Sequence, residues 1–322
     1  MQQAVFVITI DTEGDNLWLQ PKTVTTRNAL YLPRFQDLCE KHSFRPTYLV
    51  NYEMASDPVF QQFGSSMLRR NAAEIGLHVH PWNSPPFDRI RENQDIQMYL
   101  YELPEEVLYS KLDFLTRLLT EIFGIRPISH RAGRWGFNGQ IARALRQLGY
   151  RVDCSVTPGV SWKRYHGVPE GQGGPNYLGF PVTPYFLDES NVKYSGTSDM
   201  LEVPVTIKPN YSKALLSFYY RTEDRVIGKI FKRAMGDPCS WLRPNGENLE
   251  TMLGVVDWAR EQEIPVLEFM LHSSEFMPGG SPTFETAEQI ERLYVQLDTL
   301  FSYIATSGLR GMTLAEYRAT WE

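Results

Sequence analysis

Four short clusters carry the chemistry open to this chain. The first is Ile10-Asp11-Thr12-Glu13-Gly14-Asp15. Three carboxylates this close repel one another, so a cation or a shared proton must relieve them. That pattern suits a metal ligand beside a general base; the plainer alternative is a helix N-cap or polar turn. The second is Glu74-Ile75-Gly76-Leu77-His78-Val79-His80-Pro81-Trp82. Residues two apart on an extended chain face one side, so His78 and His80 can reach the same ion. With a carboxylate they make a three-ligand site that leaves room for water or substrate. The third is Ser129-His130-Arg131-Ala132-Gly133-Arg134-Trp135-Gly136. Its small residues let the backbone approach a ligand, and Arg131 can orient a carboxylate. Its alternative is a glycine-rich turn with solvated arginines. The fourth is Leu271-His272-Ser273-Ser274. His272 suits a general acid near neutral pH; alone, it would more often be a structural histidine.

These clusters need elements to position them. Residues 4–10 are β-branched and apolar, the pattern of a buried strand. Further strands are expected at 46–51, 74–78, 128–131, 150–155 and 265–271. Helical spacing is expected at 28–42, 57–71, 104–123, 138–148, 247–262 and 284–304. Leu108, Leu112, Leu115 and Leu119 share one helical face, and Gly124 follows as a stop. Alternating strands and helices imply parallel strands covered by helices, an α/β fold. A barrel fits this length better than an open sheet. No glycine-rich phosphate fingerprint follows the first strand. All four clusters fall at strand ends, which share one face of a parallel barrel. Residues 156–246 break the rhythm and are rich in Gly, Pro and Tyr. They read as inserted loops over the barrel mouth, with a strand at 200–205 and a helix near 223–235. The whole chain, 1–322, reads as one catalytic domain.

A net charge of -6 and a pI near 5.6 argue against a nucleic-acid surface. Aromatics reach 13%, enough for sugar-stacking subsites, although a bulky core is the readier explanation. Cys39, Cys154 and Cys239 are odd in number and form no Cys-x-x-Cys, so a disulfide scaffold or sulfur-type zinc site is not expected. No stretch is long enough to span a membrane. The first residues read as a strand rather than a signal peptide. A cytoplasmic protein is expected, with peripheral membrane association left open.

In this order the clusters resemble the polysaccharide deacetylase family (carbohydrate esterase family 4, the NodB-homology group). The irregular motifs resemble a variant subgroup with Asp-x-Glu and His-x-His forms. The resemblance spans residues 4–155 and 264–275. It implies a distorted (β/α)7 barrel. Thr9-Ile10-Asp11-Thr12-Glu13-Gly14 stands at the family's first motif. It assigns Asp11 as catalytic base and Glu13, in place of a missing aspartate at Thr12, as metal ligand; Asp11 itself could touch the ion. His78 matches the second motif, and His80 replaces the histidine expected where Trp82 stands. Arg131 matches the arginine that orients the base. Arg134 occupies the place whose backbone N–H helps hold the oxyanion. Asp153, in Asp153-Cys154-Ser155, matches the aspartate that supports the catalytic histidine, His272. The resemblance implies hydrolysis of an N-acyl group from an amino sugar or glycan, with one divalent transition metal, zinc first. Trp82, Phe87 and Trp135 are candidates for a sugar floor. Competing readings are a small-molecule amidohydrolase or deformylase and a non-catalytic carbohydrate-binding barrel. A glycoside hydrolase using Asp11 and Asp153 is a third.

Overall fold

Val5–Thr12, VFVITIDT, forms strand β1 and is buried along its whole length. Its residues are apolar or β-branched on both faces, which suits a strand covered on both sides. In the computed structural model, which describes residues 4–87 and 97–321, β1 lies second from one end of a large sheet, beside β10. The other strands are β2 (Thr47–Val50), β3 (Glu74–Val79), β4 (Ser129–Ala132) and β5 (Val152–Asp153). They continue with β6 (Tyr185–Phe186), β7 (Leu201–Glu202), β8 (Ile207–Pro209), β9 (Cys239–Trp241), β10 (Val266–His272) and β11 (Arg310–Met312).

The sheet order is β10-β1-β2-β3-β4-β5-β7-β6, with β11 also paired to β1. From β10 to β7 every neighbouring pair is parallel. β6 runs antiparallel to β7, and β8 and β9 form a separate antiparallel pair. The seven parallel strands curl into a distorted barrel. Its gap, between β7 and β10, is bridged by Thr206. The Thr206 N–H donates to the Glu268 carbonyl at 3.1 Å, and its hydroxyl accepts from the Glu268 N–H at 2.8 Å. The expected α/β barrel is therefore present.

Alternate strand residues build two different interiors. Val5, Val7, Leu49, Val152, Leu201 and Val266 pack together inside the barrel. Phe6, Ile8, Tyr48, Leu77 and Phe269 pack outward against the helices. That alternation decides which polar residues can meet at the barrel mouth.

The helices follow their apolar spacing. Helix Glu105–Phe123 buries Leu108, Leu112, Leu115 and Leu119, and ends at Gly124 with φ 67°. Helix Ala287–Thr306 begins with a Thr286/Gln289 capping box and buries Ile290, Leu293, Leu297, Leu300 and Ile304. Each such side chain contributes about 1.5–3 kcal/mol on burial. The helix expected from residue 28 starts at Leu32, after a 3-10 turn at Arg27–Tyr31. Within 156–246 the expected strand shortens to β7. The expected helix is Val226–Met235, and a second helix, Lys213–Thr222, precedes it. Ser212 caps that helix by accepting from the Leu215 N–H, a signal present in the sequence.

Candidate active site

The end of β1 sets the site. Asp11 pairs in register with His272 of β10, so both residues sit side by side at the barrel mouth. Ser273 ties the two strand ends together: its hydroxyl accepts from the Glu13 N–H at 3.1 Å and donates to the Glu13 carbonyl at 3.2 Å. β3 brings His78, and its continuation brings His80.

Glu13, His78 and His80 converge. His80 Nε2 lies 2.9 Å from Glu13 Oε2, and His78 Nε2 lies 3.4 Å from the same oxygen. The two Nε2 atoms are 3.1 Å apart. All three residues are buried. Ligand atoms of a tetrahedral ion with bonds of about 2.0–2.1 Å lie about 3.3–3.4 Å apart, so the spacing fits one small ion. The donor set also fits. His78 Nδ1 donates to the Arg131 carbonyl at 2.9 Å, which turns its Nε2 toward Glu13 and His80, where a cation would sit. Gly133 makes room for the second imidazole. A Cβ there would overlap His80 Nδ1 and stand 2.7 Å from the Val79 carbonyl.

The charges are arranged to keep the carboxylates ionised. Burial pushes the Glu13 carboxyl up, but hydrogen bonds from His78 and His80 outweigh it and hold it well below the usual carboxylate range. Burial also raises Asp11, and the charges of Arg131, His78 and His272 more than offset it. Burial lowers His80, which favours the neutral, metal-binding imidazole.

Arg131 is fully buried below the site. Nη1 donates to Asp11 Oδ1 at 2.7 Å, Nε to the Cys154 carbonyl at 3.0 Å, and Nη2 to Thr9 Oγ1 at 2.6 Å. Nη2 also pairs with Glu268. Glu268 is absent from the sequence-based candidates. A lone carboxylate within the apolar run of β10 was the available signal, because a buried charge needs a partner.

His272 Nε2 stands 3.7 Å from Asp11 Oδ2 and 4.0 Å from Glu13 Oε1. Its Nδ1 is 2.9 Å from Glu275 Oε2, which also accepts from the His272 N–H at 2.9 Å. Glu275 is buried and pairs with Arg243 at 3.1 Å. Asp153 does not take this role. It bonds His130 Nδ1 at 2.6 Å and the Ser155 hydroxyl at 3.0 Å. The reason is strand alternation: Val152 and Cys154 face the barrel interior, so Asp153 between them faces outward. Glu202 lies beside it, its pKa raised by burial and by the Asp153 charge. The expected contact between Asp153 and His272 is thus replaced by Glu275.

Arg134 and Trp135 both adopt left-handed backbone, φ 53° and 61°. This costs energy for non-glycine residues and is found where a site demands it. The Arg134 guanidinium lies 4.2 Å over the Tyr99 ring and donates to the carbonyls of Gln97 and His166. The Tyr177 hydroxyl donates to the Trp135 carbonyl, which holds the turn.

Asp11, Glu13, His78, His80, Arg134 and His272 line one cavity of about 360 Å³. Trp82 and Trp135 line it too. Trp82 leans on the His80 ring at 4.5 Å, and Trp135 stacks on Trp162 at 6.3 Å. Phe87 packs edge-on against Tyr52 instead and is not part of the lining. Trp18, Trp162, Tyr165 and Arg243 add to the wall. They belong to loop segments whose place could not be read locally. Trp18, Trp162, Tyr165 and Arg243 also border a second cleft of about 790 Å³.

No family model and no curated protein sequence matches this chain. Solved structures do. One is a putative polysaccharide deacetylase from Mycobacterium smegmatis, 13% identical, with TM-score 0.52 over 97% of this chain and 94% of that one. Another is a 4-alpha-glucanotransferase from Thermococcus litoralis, 14% identical, with TM-score 0.50. The match covers 99% of this chain but only 40% of the glucanotransferase. A GH57-type branching enzyme from Pyrococcus horikoshii is 10% identical, with TM-score 0.50, over 99% of this chain and 70% of that one. At these identities the likeness is one of fold, and this chain shares its α/β barrel with the deacetylase structure along nearly the full length of both.

Proposed function

We propose that this chain is a metal-dependent hydrolase that removes an N-acyl group, most simply acetyl, from an amino sugar in a glycan or glycan precursor. The observation that carries this reading is the convergence of Glu13 Oε2, His78 Nε2 and His80 Nε2 beside Asp11 and His272. A divalent transition ion held by those three residues, zinc first, would polarise the acyl carbonyl and bring the pKa of a water towards about 7.

The protein groups do the rest. Asp11 Oδ2, the oxygen not held by Arg131 Nη1, takes the proton as water adds to the carbonyl carbon. Arg131 keeps Asp11 ionised and aimed. The backbone N–H of Arg134 donates to the developing oxyanion. His272 Nε2 gives a proton to the departing nitrogen as the C–N bond breaks, and Glu275 holds its Nδ1. A carboxylate and a free amine result. Trp82, Trp135 and Trp162 offer flat apolar faces to a sugar ring.

The cavity shares Trp18, Trp162, Tyr165 and Arg243 with the wider cleft, and this adjacency favours a substrate longer than one small molecule. A glycoside hydrolase built on Asp11 and Asp153 has no support, because Asp153 faces away from the cavity. The test is elemental analysis of purified protein beside a His78→Ala, His80→Ala double variant. About one equivalent of transition metal in the wild type, lost in the variant, is expected. A wild type that stays metal-free after zinc is supplied would leave only a binding barrel or a metal-free amidohydrolase.

A further inference from the structure

The two helices between residues 213 and 235 expose what a folded helix normally buries. Helix Lys213–Thr222 buries Leu216 and Tyr219, yet Leu215 and Phe218 remain 37% and 40% exposed. Helix Val226–Met235 packs back onto it. A Cβ on Gly228 would overlap the Thr222 carbonyl, and Phe231 meets Phe218 at 5.5 Å. The side of that second helix turned away from Gly228 carries Val226 and Ile230, 73% and 62% exposed, and Ile227, 53% exposed, lies on the flank between them and Phe231. Residues 226 and 230 are one turn apart and 227 adjoins them, so they form one stripe. Scattered surface apolar residues need no explanation, but a stripe does.

A cationic row runs alongside. Arg225, Lys229 and Arg233 follow one another at four-residue spacing, next to the row of Val226 and Ile230. Residues 213–235 contain six Lys and Arg against Glu223 and Asp224, in a chain whose net charge is -6. Among the described residues, no carboxylate pairs with Arg225, Lys229 or Arg233, whereas Lys232 pairs with Asp237 at 2.8 Å.

We propose that this helical hairpin docks the protein on an anionic lipid bilayer. An apolar stripe flanked by cations is the composition of a helix that lies in a membrane interface. Anionic lipids attract the six cations and repel the acidic remainder of the chain, so the same field that binds the hairpin also orients it. Self-association through this face would set the same cations against one another. The location adds a consequence. Tyr219, Tyr220 and Lys232 line the larger cleft, which meets the cavity of Asp11 and Glu13 at Trp18, Trp162, Tyr165 and Arg243. Docking therefore brings one wall of the cleft close to the bilayer. A lipid-linked glycan precursor fits that placement, a clause that rests on the hydrolase reading above.

The experiment is flotation of the full chain with phosphatidylglycerol/phosphatidylcholine vesicles and with pure phosphatidylcholine vesicles. Wild type is expected to float with the anionic vesicles only, and less at high salt. Ile227→Glu, Ile230→Glu and Lys229→Glu, Arg233→Glu double variants are each expected to bind at least about ten-fold more weakly. Their melting curves should match wild type, because all four positions are exposed. No flotation by wild type overturns the proposal. So does equal flotation with neutral vesicles, or unchanged flotation by both variants. A concentration-dependent dimer abolished by Ile227→Glu, Ile230→Glu, without vesicle binding, would assign the face to a second copy. Metal content read on the same samples keeps failure of docking distinct from failure of the metal site.

Discussion

Arg131 stands between two carboxylates that are not equivalent. The Asp11 carboxyl is held below its usual range by the guanidinium charge and those of two histidines. Burial outweighs the same guanidinium at Glu268, which is pushed up. One partner thus stays ionised at the cavity, and the other serves the scaffold through Thr9 and Arg131. The histidine opposite shows the same division of labour. Glu275 bonds His272, whereas Asp153 bonds His130 on the far side of the sheet. Glu275→Gln is expected to lower kcat about ten-fold or more, since it removes the charge that supports the imidazolium. Asp153→Asn is expected to leave kcat near wild type while lowering thermal stability. Deacetylation rates and melting temperatures of both variants check this; the reverse pattern would restore Asp153 to the catalytic histidine. Glu53 gives a pH signature. Burial pushes its carboxyl from 4.5 up to about 8. Between those values the unfolded chain has released a proton that the folded chain keeps. Stability therefore falls as pH rises from about 4.5 to about 8. Glu53→Gln is expected to recover about 1–3 kcal/mol at pH 8 and almost nothing at pH 4.5. Urea midpoints of metal-free protein at the two pH values measure it.

At the scale of elements, the turn after β4 carries unusual demands. Gly133 lies against His80, and Arg134 and Trp135 both take left-handed backbone. The turn places Trp135 at the cavity wall and clears space for the imidazole. Gly133→Ala is expected to weaken metal affinity at least about ten-fold, because the added methyl must displace His80 or the Val79 carbonyl. Competition with a metal-indicator dye reads that shift, while circular dichroism should show the fold retained. Equal affinity in the variant would mean that His80 is not held where this geometry puts it. The hairpin of helices at 213–235 has a different logic. Its inner side is held by Leu216, Tyr219 and Gly228, and its outer side is left for a surface that water does not satisfy.

At the scale of the molecule, barrel closure and the site meet at Glu268. Thr206 bridges β10 through the backbone of Glu268, the same residue whose side chain meets Arg131. The last link of the barrel and the base of the site thus share a residue. Parallel strands send Asp11, His78, Arg131 and His272 to the same end, as a parallel barrel requires. Loops from 156–246 then wall the cavity with Trp162 and Tyr165 and add the second cleft.

The sequence by itself determined the alternation of strands and helices and the position of each cluster at a strand end. It also singled out the carboxylate and two histidines that converge. These are local properties: periodicity, capping and spacing need only neighbouring residues. The inward or outward sense of Asp153 was not legible, because β5 is buried on both faces and Val152, Asp153 and Cys154 read alike. A shift of one residue in register reverses every side chain in such a strand. Only the tertiary structure decided that, whereas the contact of Glu275 with His272 is a capping box spanning three residues, a local signal that the sequence carried. The tertiary structure also brought in Glu268, Trp18, Trp162 and Arg243. Their partners lie tens to hundreds of residues away, and no local pattern specifies a contact over that separation.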